Sequence, residues 1–341
     1  MSALHLLGSA ADGGAETYFV SLVGALRRAG LSEAALIRPH THRQAALEEM
    51  GVWVKTLDFG GPLDLLTKPR AAAFARQQDA QVVVAWMNRA ARHTPKGPWA
   101  RVGRMGGYYK LKYYKGFDAL VGNTPDIVRW AIGQGWPADR IRCIPNYAAA
   151  ESARPLDRAL FDTPEGAPLL LGMGRLHTSK AHDVSLKALA QIPGAYLWIA
   201  GNGPLEAQLK ALADGLGVSD RVRFLGWRND AAALYRTADL CLFPSRYEPL
   251  GNVVIQSWAQ GLPIVAADAR GPADLIRHEE DGLIVPMDEP DALAEAAKRV
   301  LGDPVLRAGM VAAGKHRVKN EFSEAAVVDQ WRTLFAELGA R

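Results

Sequence analysis

The stretch L-C-L-F-P-S-R-Y-E-P-L-G-N-V-V-I-Q, residues 240–256, decides how this chain is read. Leu240 to Phe243 form a short apolar run of the buried-strand type, Pro244 to Gly251 a loop, and Asn252 opens a helix. A strand passing through a glycine-bearing loop into a helix is the repeating unit of a doubly wound parallel sheet. The loop sets one carboxylate, Glu248, where it can accept hydrogen bonds from a ligand's hydroxyls. Eight positions on, Gln256 lies about 2.2 helical turns further and can face the same ligand. Taken alone, Glu248 is equally well a helix-start carboxylate favoured by the dipole.

The same rhythm runs through the whole chain. In the first half, strands are expected at 3–7, 33–38, 52–57, 81–86, 118–122 and 141–145, with helical patterns at 15–29, 42–50, 62–78 and 125–134. After Pro168 the alternation restarts with Leu169–Leu171, then 196–200, 222–225, 240–243, 264–267 and 282–285 as strands. Helices are expected between and after them, the last at 303–317 and 323–338. Two Rossmann-like domains facing a cleft are the simplest α/β arrangement of this pattern, since 341 residues are long for one hydrophobic core. The expected division is 1–155, 156–322 and a final helix, 323–341. The proline-bearing, polar segment from Asn146 to Pro168 reads as the linker.

A second informative run, Leu170-Leu171-Gly172-Met173-Gly174-Arg175-Leu176-His177-Thr178-Ser179-Lys180, also goes from strand through glycine into a charged turn. Gly174 permits close backbone approach, Arg175 can fork across phosphate oxygens, and Lys180 adds a point charge. The bland alternative is an ordinary loop with two solvated cations. The spacing is not that of a Walker loop, and neither half carries a dinucleotide fingerprint. Asp183, just beyond, reads as a structural residue. Near the start, Gly8-Ser9-Ala10-Ala11-Asp12-Gly13-Gly14-Ala15-Glu16 follows a strand and offers the amides of Gly13 and Gly14 at a helix start. Gly201-Asn202-Gly203-Pro204 and Arg270-Gly271-Pro272 are further strand-to-helix turns.

These turns, in this order around Glu248, resemble the donor site of retaining, GT-B-type glycosyltransferases of family 4, the group 1 glycosyltransferases. The likeness is specific over residues 170–290 and looser before them. It implies transfer of a sugar from a nucleoside diphosphate, with Arg175 and Lys180 on the diphosphate and Glu248 orienting the sugar. It also implies that Gly13, Gly14, Gly174, Gly201, Asn202, Gly203, Gly251 and Gly271 lie along the donor. The family's second carboxylate, eight residues after the first, is replaced here by Gln256, which can still exchange hydrogen bonds with a ribose without carrying charge. The resemblance further implies retention of anomeric configuration, no cofactor and no divalent metal; no D-x-D segment occurs. It would bring the last helix, with Trp331 as anchor, back onto the first domain. On the acceptor side, Trp86-Met87-Asn88-Arg89 ends a strand where relatives often place a histidine, so Asn88 and Arg89 are the candidates. His93 lies too far along to be assigned.

Composition narrows the remaining choices. Hydrophobic content of 49% against 22% charged excludes a disordered chain. Cys143 and Cys241 are the only cysteines, each beside an apolar run, so two buried thiols are expected rather than a disulfide or metal site. No apolar stretch is long enough to span a bilayer, and the opening run Ala3–Leu7 reads as a strand rather than a leader. A cytoplasmic protein is expected, with the inner face of the plasma membrane as its peripheral station.

Residues 1–150 hold 19 Lys/Arg against 11 Asp/Glu, whereas the remainder holds 21 against 25. A basic first half suits phosphate or an anionic bilayer; no nucleic-acid module accompanies it. The segment Tyr108-Tyr109-Lys110-Leu111-Lys112-Tyr113-Tyr114-Lys115, with Arg101 and Arg104 upstream, either lies on anionic lipid or packs its tyrosines inward with lysines in solvent. An acceptor at the membrane, a glycan or lipid-linked saccharide of cell-envelope polysaccharide or lipopolysaccharide synthesis, would give it a purpose. Two other functions stay open: an epimerase or hydrolase of sugar nucleotides, and a non-catalytic receptor for a sugar nucleotide or glycan.

Overall fold

A computed structural model of the chain describes residues 1–11, 13–61, 63–148 and 153–339. It divides into two compact units, Met1–Asn146 with Glu324–Arg341, and Tyr147–Ser323. The first division thus falls at Asn146/Tyr147, where the expected linker begins. Residues 149–152 of that linker lie outside the described residues, as does Asp12 of the first glycine loop.

The first unit runs β1 (Ser2–Leu7), α1 (Gly14–Arg28), β2 (Ser32–Ile37), α2 (Thr41–Glu49), β3 (Trp53–Thr56), α3 (Thr67–Gln77) and β4 (Val82–Trp86). It continues through α4 (Met87–His93), β5 (Ala100–Met105), β6 (Ala119–Gly122), α5 (Pro125–Gly133) and β7 (Ile141–Cys143). Its seven strands form one parallel sheet in the order β3-β2-β1-β4-β5-β6-β7. The central strands are covered on both faces, which is why β4 reads as an unbroken apolar run, and why β1 and β2 are apolar apart from Ser2 and Ser32 at their starts and the buried pair His5 and Glu33. Local sequence sets some ends sharply. Thr124 Oγ1 accepts from Ile127 N at 3.2 Å with Pro125 next, a side-chain cap and a pre-set φ that start α5.

The second unit runs β8 (Leu169–Met173), α6 (His182–Leu189), β9 (Tyr196–Ala200), α7 (Glu206–Gly215), β10 (Val222–Gly226), α8 (Ala231–Thr237) and β11 (Leu240–Phe243). It is completed by α9 (Asn252–Gln260), β12 (Ile264–Ala267), α10 (Arg270–Leu275), β13 (Leu283–Val285), α11 (Pro290–Gly302) and α12 (Pro304–Glu321). Six parallel strands take the order β10-β9-β8-β11-β12-β13. The helix after Phe322, α13 (Glu324–Gly339), belongs to the first unit and packs on α1 and β4. Trp331 and Phe335 are buried there, and Arg28 donates to both carboxylate oxygens of Glu324 at 2.8 Å.

Two sequence readings needed correction, and two elements had no counterpart among the expected ones. Strand β5 and helix α4 carry no clear periodicity, because the two arginines of A-R-V-G-R-M stand three apart, which fits no strand alternation, and α4 is a single short segment. Arg104 of β5 is nevertheless buried, its guanidinium over the rings of Trp86 at 4.8 Å and Tyr18 at 5.2 Å. Aromatic faces offset part of the cost of desolvating that charge. Pro62, the expected start of a helix, lies outside the described residues; the helix begins at Thr67, with Asp64 Oδ1 accepting from Leu66 N and Thr67 N. Cys143 is exposed on the edge strand β7, whereas Cys241 is buried as expected. Of the tyrosine–lysine segment, Tyr114 is buried and Tyr108, Tyr109 and Tyr113 pack on the core, while Lys110, Lys112 and Lys115 are exposed. The tyrosines therefore serve the core of the first unit.

Candidate active site

In a doubly wound sheet the chain begins in the middle, winds one way, then returns and winds the other. The two loops leaving the central pair of strands consequently part in opposite directions and open a crevice between them. In the second unit those strands are β8 and β11. The loop after β8 holds Gly174, Arg175 and Lys180; the loop after β11 holds Glu248 and Gly251. Sequence positions 68 residues apart meet there, with Lys180 Nζ donating to Glu248 Oε2.

Several contacts fix this meeting. Arg246 N donates to Ser179 O at 2.9 Å and Gly251 N to Glu248 Oε1 at 3.2 Å. Arg246, in the same loop as Glu248, is the fastener. Its guanidinium donates to Asp183 Oδ1 at 2.9 Å and Oδ2 at 2.7 Å, and to Asp288 Oδ1 at 2.5 Å. Burial pushes the Asp183 carboxyl up, but these hydrogen bonds outweigh it and hold the group below its usual value. No spacing rule could have found the triplet, since Asp183 stands on α6, Arg246 in the loop after β11 and Asp288 in the turn before α11.

The glycines explain how the turns nest. Gly201 has φ of +147°, and a Cβ there would lie 2.0 Å from Gly174 O. Only a residue without a side chain lets the loop after β9 reach the loop after β8, where Gly174 N also donates to Ala200 O at 3.0 Å. A Cβ on Gly271 would lie 2.7 Å from Glu248 O, which already accepts from Gly271 N at 2.9 Å. Gly203 and Asn202 flank the same junction, Leu176 N donating to Asn202 O at 3.0 Å. The sequence-derived residues Gly174, Arg175, Lys180, Gly201, Asn202, Gly203, Glu248, Gly251 and Gly271 thus follow the carboxyl ends of β8, β9, β11 and β12, along one rim of the sheet.

Charge is unevenly satisfied across this edge. Lys180 and Glu248 neutralise each other, and both are mostly buried. Arg175 is exposed, and its guanidinium has no partner among the described residues. Behind the loop, His182 Nε2 donates to Gly174 O at 3.3 Å while Nδ1 has no partner; burial pushes this imidazole down to about 4. A neutral, buried histidine therefore props the Gly174 peptide. On α9, Gln256 is exposed, and Tyr235 Oη donates to its Oε1 at 3.2 Å. That bond leaves the amide nitrogen of Gln256 free to donate.

The corresponding edge of the first unit lies at the loops after β1 and β4. A Cβ on Gly8 would sit 2.9 Å from Arg89 Cγ, so these loops abut. Met87 takes φ of +65°, an unusual value for a residue with a side chain, and turns β4 directly into α4. Asn88 Oδ1 accepts from Lys110 N at 3.1 Å, and Arg89 is exposed with no partner among the described residues. Gly13 and Gly14 are exposed at the start of α1, which has no side-chain cap. His93 is engaged elsewhere: its Nε2 lies 3.1 Å from Gly60 O.

Comparison with known proteins agrees with this architecture. The family of glycosyl transferases group 1 matches residues 154–317. The lipopolysaccharide core biosynthesis glycosyltransferase LpsE of Rhizobium meliloti (strain 1021) is 35% identical over 329 residues, covering 95% of this chain and 96% of that one. LpsD of the same organism is 36% identical, covering 95% of each. Among solved structures, Anabaena Alr3699/HepE in complex with UDP superposes with a TM-score of 0.83 at 20% identity, covering 99% of this chain and all of that one. The fold is that of the GT-B enzymes, two Rossmann-like α/β domains in one chain. The chain belongs to the group 1 glycosyltransferases and is a glycosyltransferase.

Proposed function

We propose that this enzyme is a family 4 member that transfers a sugar with retention from a nucleoside diphosphate to a glycan or lipid-linked acceptor. The setting is lipopolysaccharide core or related envelope polysaccharide synthesis, at the cytoplasmic side of an anionic membrane. The ion pair between Lys180 and Glu248 carries the reading, because it brings a cation and a carboxylate together at the switch point of the second sheet. The names of the full-length relatives support the acceptor class.

The roles follow from charge. Negative charge grows on the diphosphate as the glycosidic bond breaks, and Arg175 with Lys180 supplies fixed positive charge where it develops. Glu248 accepts hydrogen bonds from the sugar's hydroxyls and holds its anomeric carbon toward the acceptor. These two cations do the work a divalent metal does elsewhere. Gln256, its carbonyl held by Tyr235, donates to a ribose oxygen where relatives accept with a carboxylate. The amides of Gly13 and Gly14 at the start of α1 offer an anion site, and Asn88 and Arg89 serve the acceptor.

The test is a panel of nucleoside-diphosphate sugars with mass detection of hydrolysis and transfer products. Wild type is expected to turn over one donor class, and Gln256→Glu to retain that turnover with altered nucleotide affinity. Absence of turnover from both proteins across the panel refutes the reading.

A further inference from the structure

The loop between β3 and α3 presents three leucines to solvent: Leu63 is 93% exposed, Leu65 82% and Leu66 59%. Single exposed leucines are ordinary on a protein surface, but three within four residues form an apolar tip that water disfavours. The tip is not a loose connection. Asp64 Oδ2 accepts from Gly60 N at 2.7 Å and Thr67 Oγ1 at 2.5 Å, and its Oδ1 from Thr67 N at 2.9 Å and Leu66 N at 3.1 Å. Those bonds hold the Asp64 carboxyl far below its ordinary value. Hydrogen bonds so placed keep the backbone in a form that turns the leucines outward, against the collapse that would otherwise cover them.

The surroundings are cationic. His93, the last residue of α4, ties to Gly60 of this loop, while Asn88, near the first, ties to Lys110 of the tyrosine–lysine segment. A seven-residue helix spans about 10 Å, so both segments flank one short element. The tyrosines of the second segment face the core, leaving Lys110, Lys112 and Lys115 exposed. Lys68 and Arg70 follow the leucines on α3 and are exposed too.

We propose that Leu63, Leu65 and Leu66 enter the surface of an anionic bilayer, with Lys68, Arg70 and the lysines of 110–115 against the headgroups. Apolar insertion and headgroup attraction act together, and neither suffices alone for firm attachment. This docking deepens the membrane setting given above and would deliver the first unit to a lipid-linked acceptor.

The experiment sediments the full chain with vesicles of phosphatidylcholine containing phosphatidylglycerol, and with vesicles of phosphatidylcholine alone. Wild type is expected on the anionic vesicles, with binding weakened by salt. The triple substitution Leu63→Ser, Leu65→Ser, Leu66→Ser is expected to lower partitioning roughly a hundredfold. The pair Lys112→Glu, Lys115→Glu should lower it about tenfold or more. Hydrolysis of the sugar-nucleotide donor, measured without vesicles, should be unchanged in both, which confirms that they fold. A wild type that ignores anionic vesicles, or a leucine variant that binds them as well as wild type, overturns the proposal. A wild type that binds vesicles but turns over no donor instead refutes the transfer reading and leaves this surface standing.

Discussion

Gly201→Ala tests whether the nesting of the β8 and β9 loops sets the site. The new methyl would sit 2.0 Å from Gly174 O and 2.7 Å from its carbon, whereas real Cβ contacts do not fall under 3.0 Å. The Gly174 peptide must therefore withdraw by about 1 Å, carrying Arg175 with it. An alanine at φ of +147° also holds a backbone conformation that suits glycine. Strain and overpacking together should cost roughly 2–5 kcal/mol of stability. A shift of about 1 Å in a charge-stabilising group should lower turnover about a hundredfold. Gly194→Ala is the matched control, because Gly194 has φ of +73° but nothing within 4 Å of its new methyl. It should lose only about 1–2 kcal/mol, with unchanged activity. Urea unfolding and donor hydrolysis are measured on both proteins. If Gly201→Ala matched Gly194→Ala in both assays, the reasoning would be wrong.

Two further outcomes are expected. Glu248→Gln should reduce kcat/KM for the donor by roughly 10- to 100-fold, the worth of hydrogen bonds to a charged acceptor; undiminished kcat/KM would remove Glu248 from the sugar site. Burial pushes the folded His182 imidazole down to about 4 from an ordinary 6.5, so the unfolded chain takes up the proton first as pH falls. Its contribution is full above 6.5 and is lost between 6.5 and 4, by up to about 3 kcal/mol. Urea midpoints across that window should fall more steeply for wild type than for His182→Gln, and equal slopes would count against it.

The sequence by itself determined the two parallel sheets and most of their strands. Strands covered on both faces are mostly apolar, so Leu240–Phe243 or Val82–Trp86 declare themselves without partners. Glycine-bearing turns after such strands mark where ligand loops lie, and Glu248 stood out for that reason. Periodicity failed at Ala100–Met105, where a buried arginine stacks on Trp86, because its solvation is met by aromatic rings that no local pattern displays. The tertiary structure alone decided that Lys180 meets Glu248, that Arg246 fastens Asp183 and Asp288, and that the tyrosines of 108–115 face inward. It also turned Leu63, Leu65 and Leu66 outward, since the carboxylate of Asp64 fixes a turn that hydrophobicity would hide. Burial and strand pairing act on a residue and its neighbours, so sequence shows them; contacts between separate turns depend on the angle at which the sheet delivers each loop.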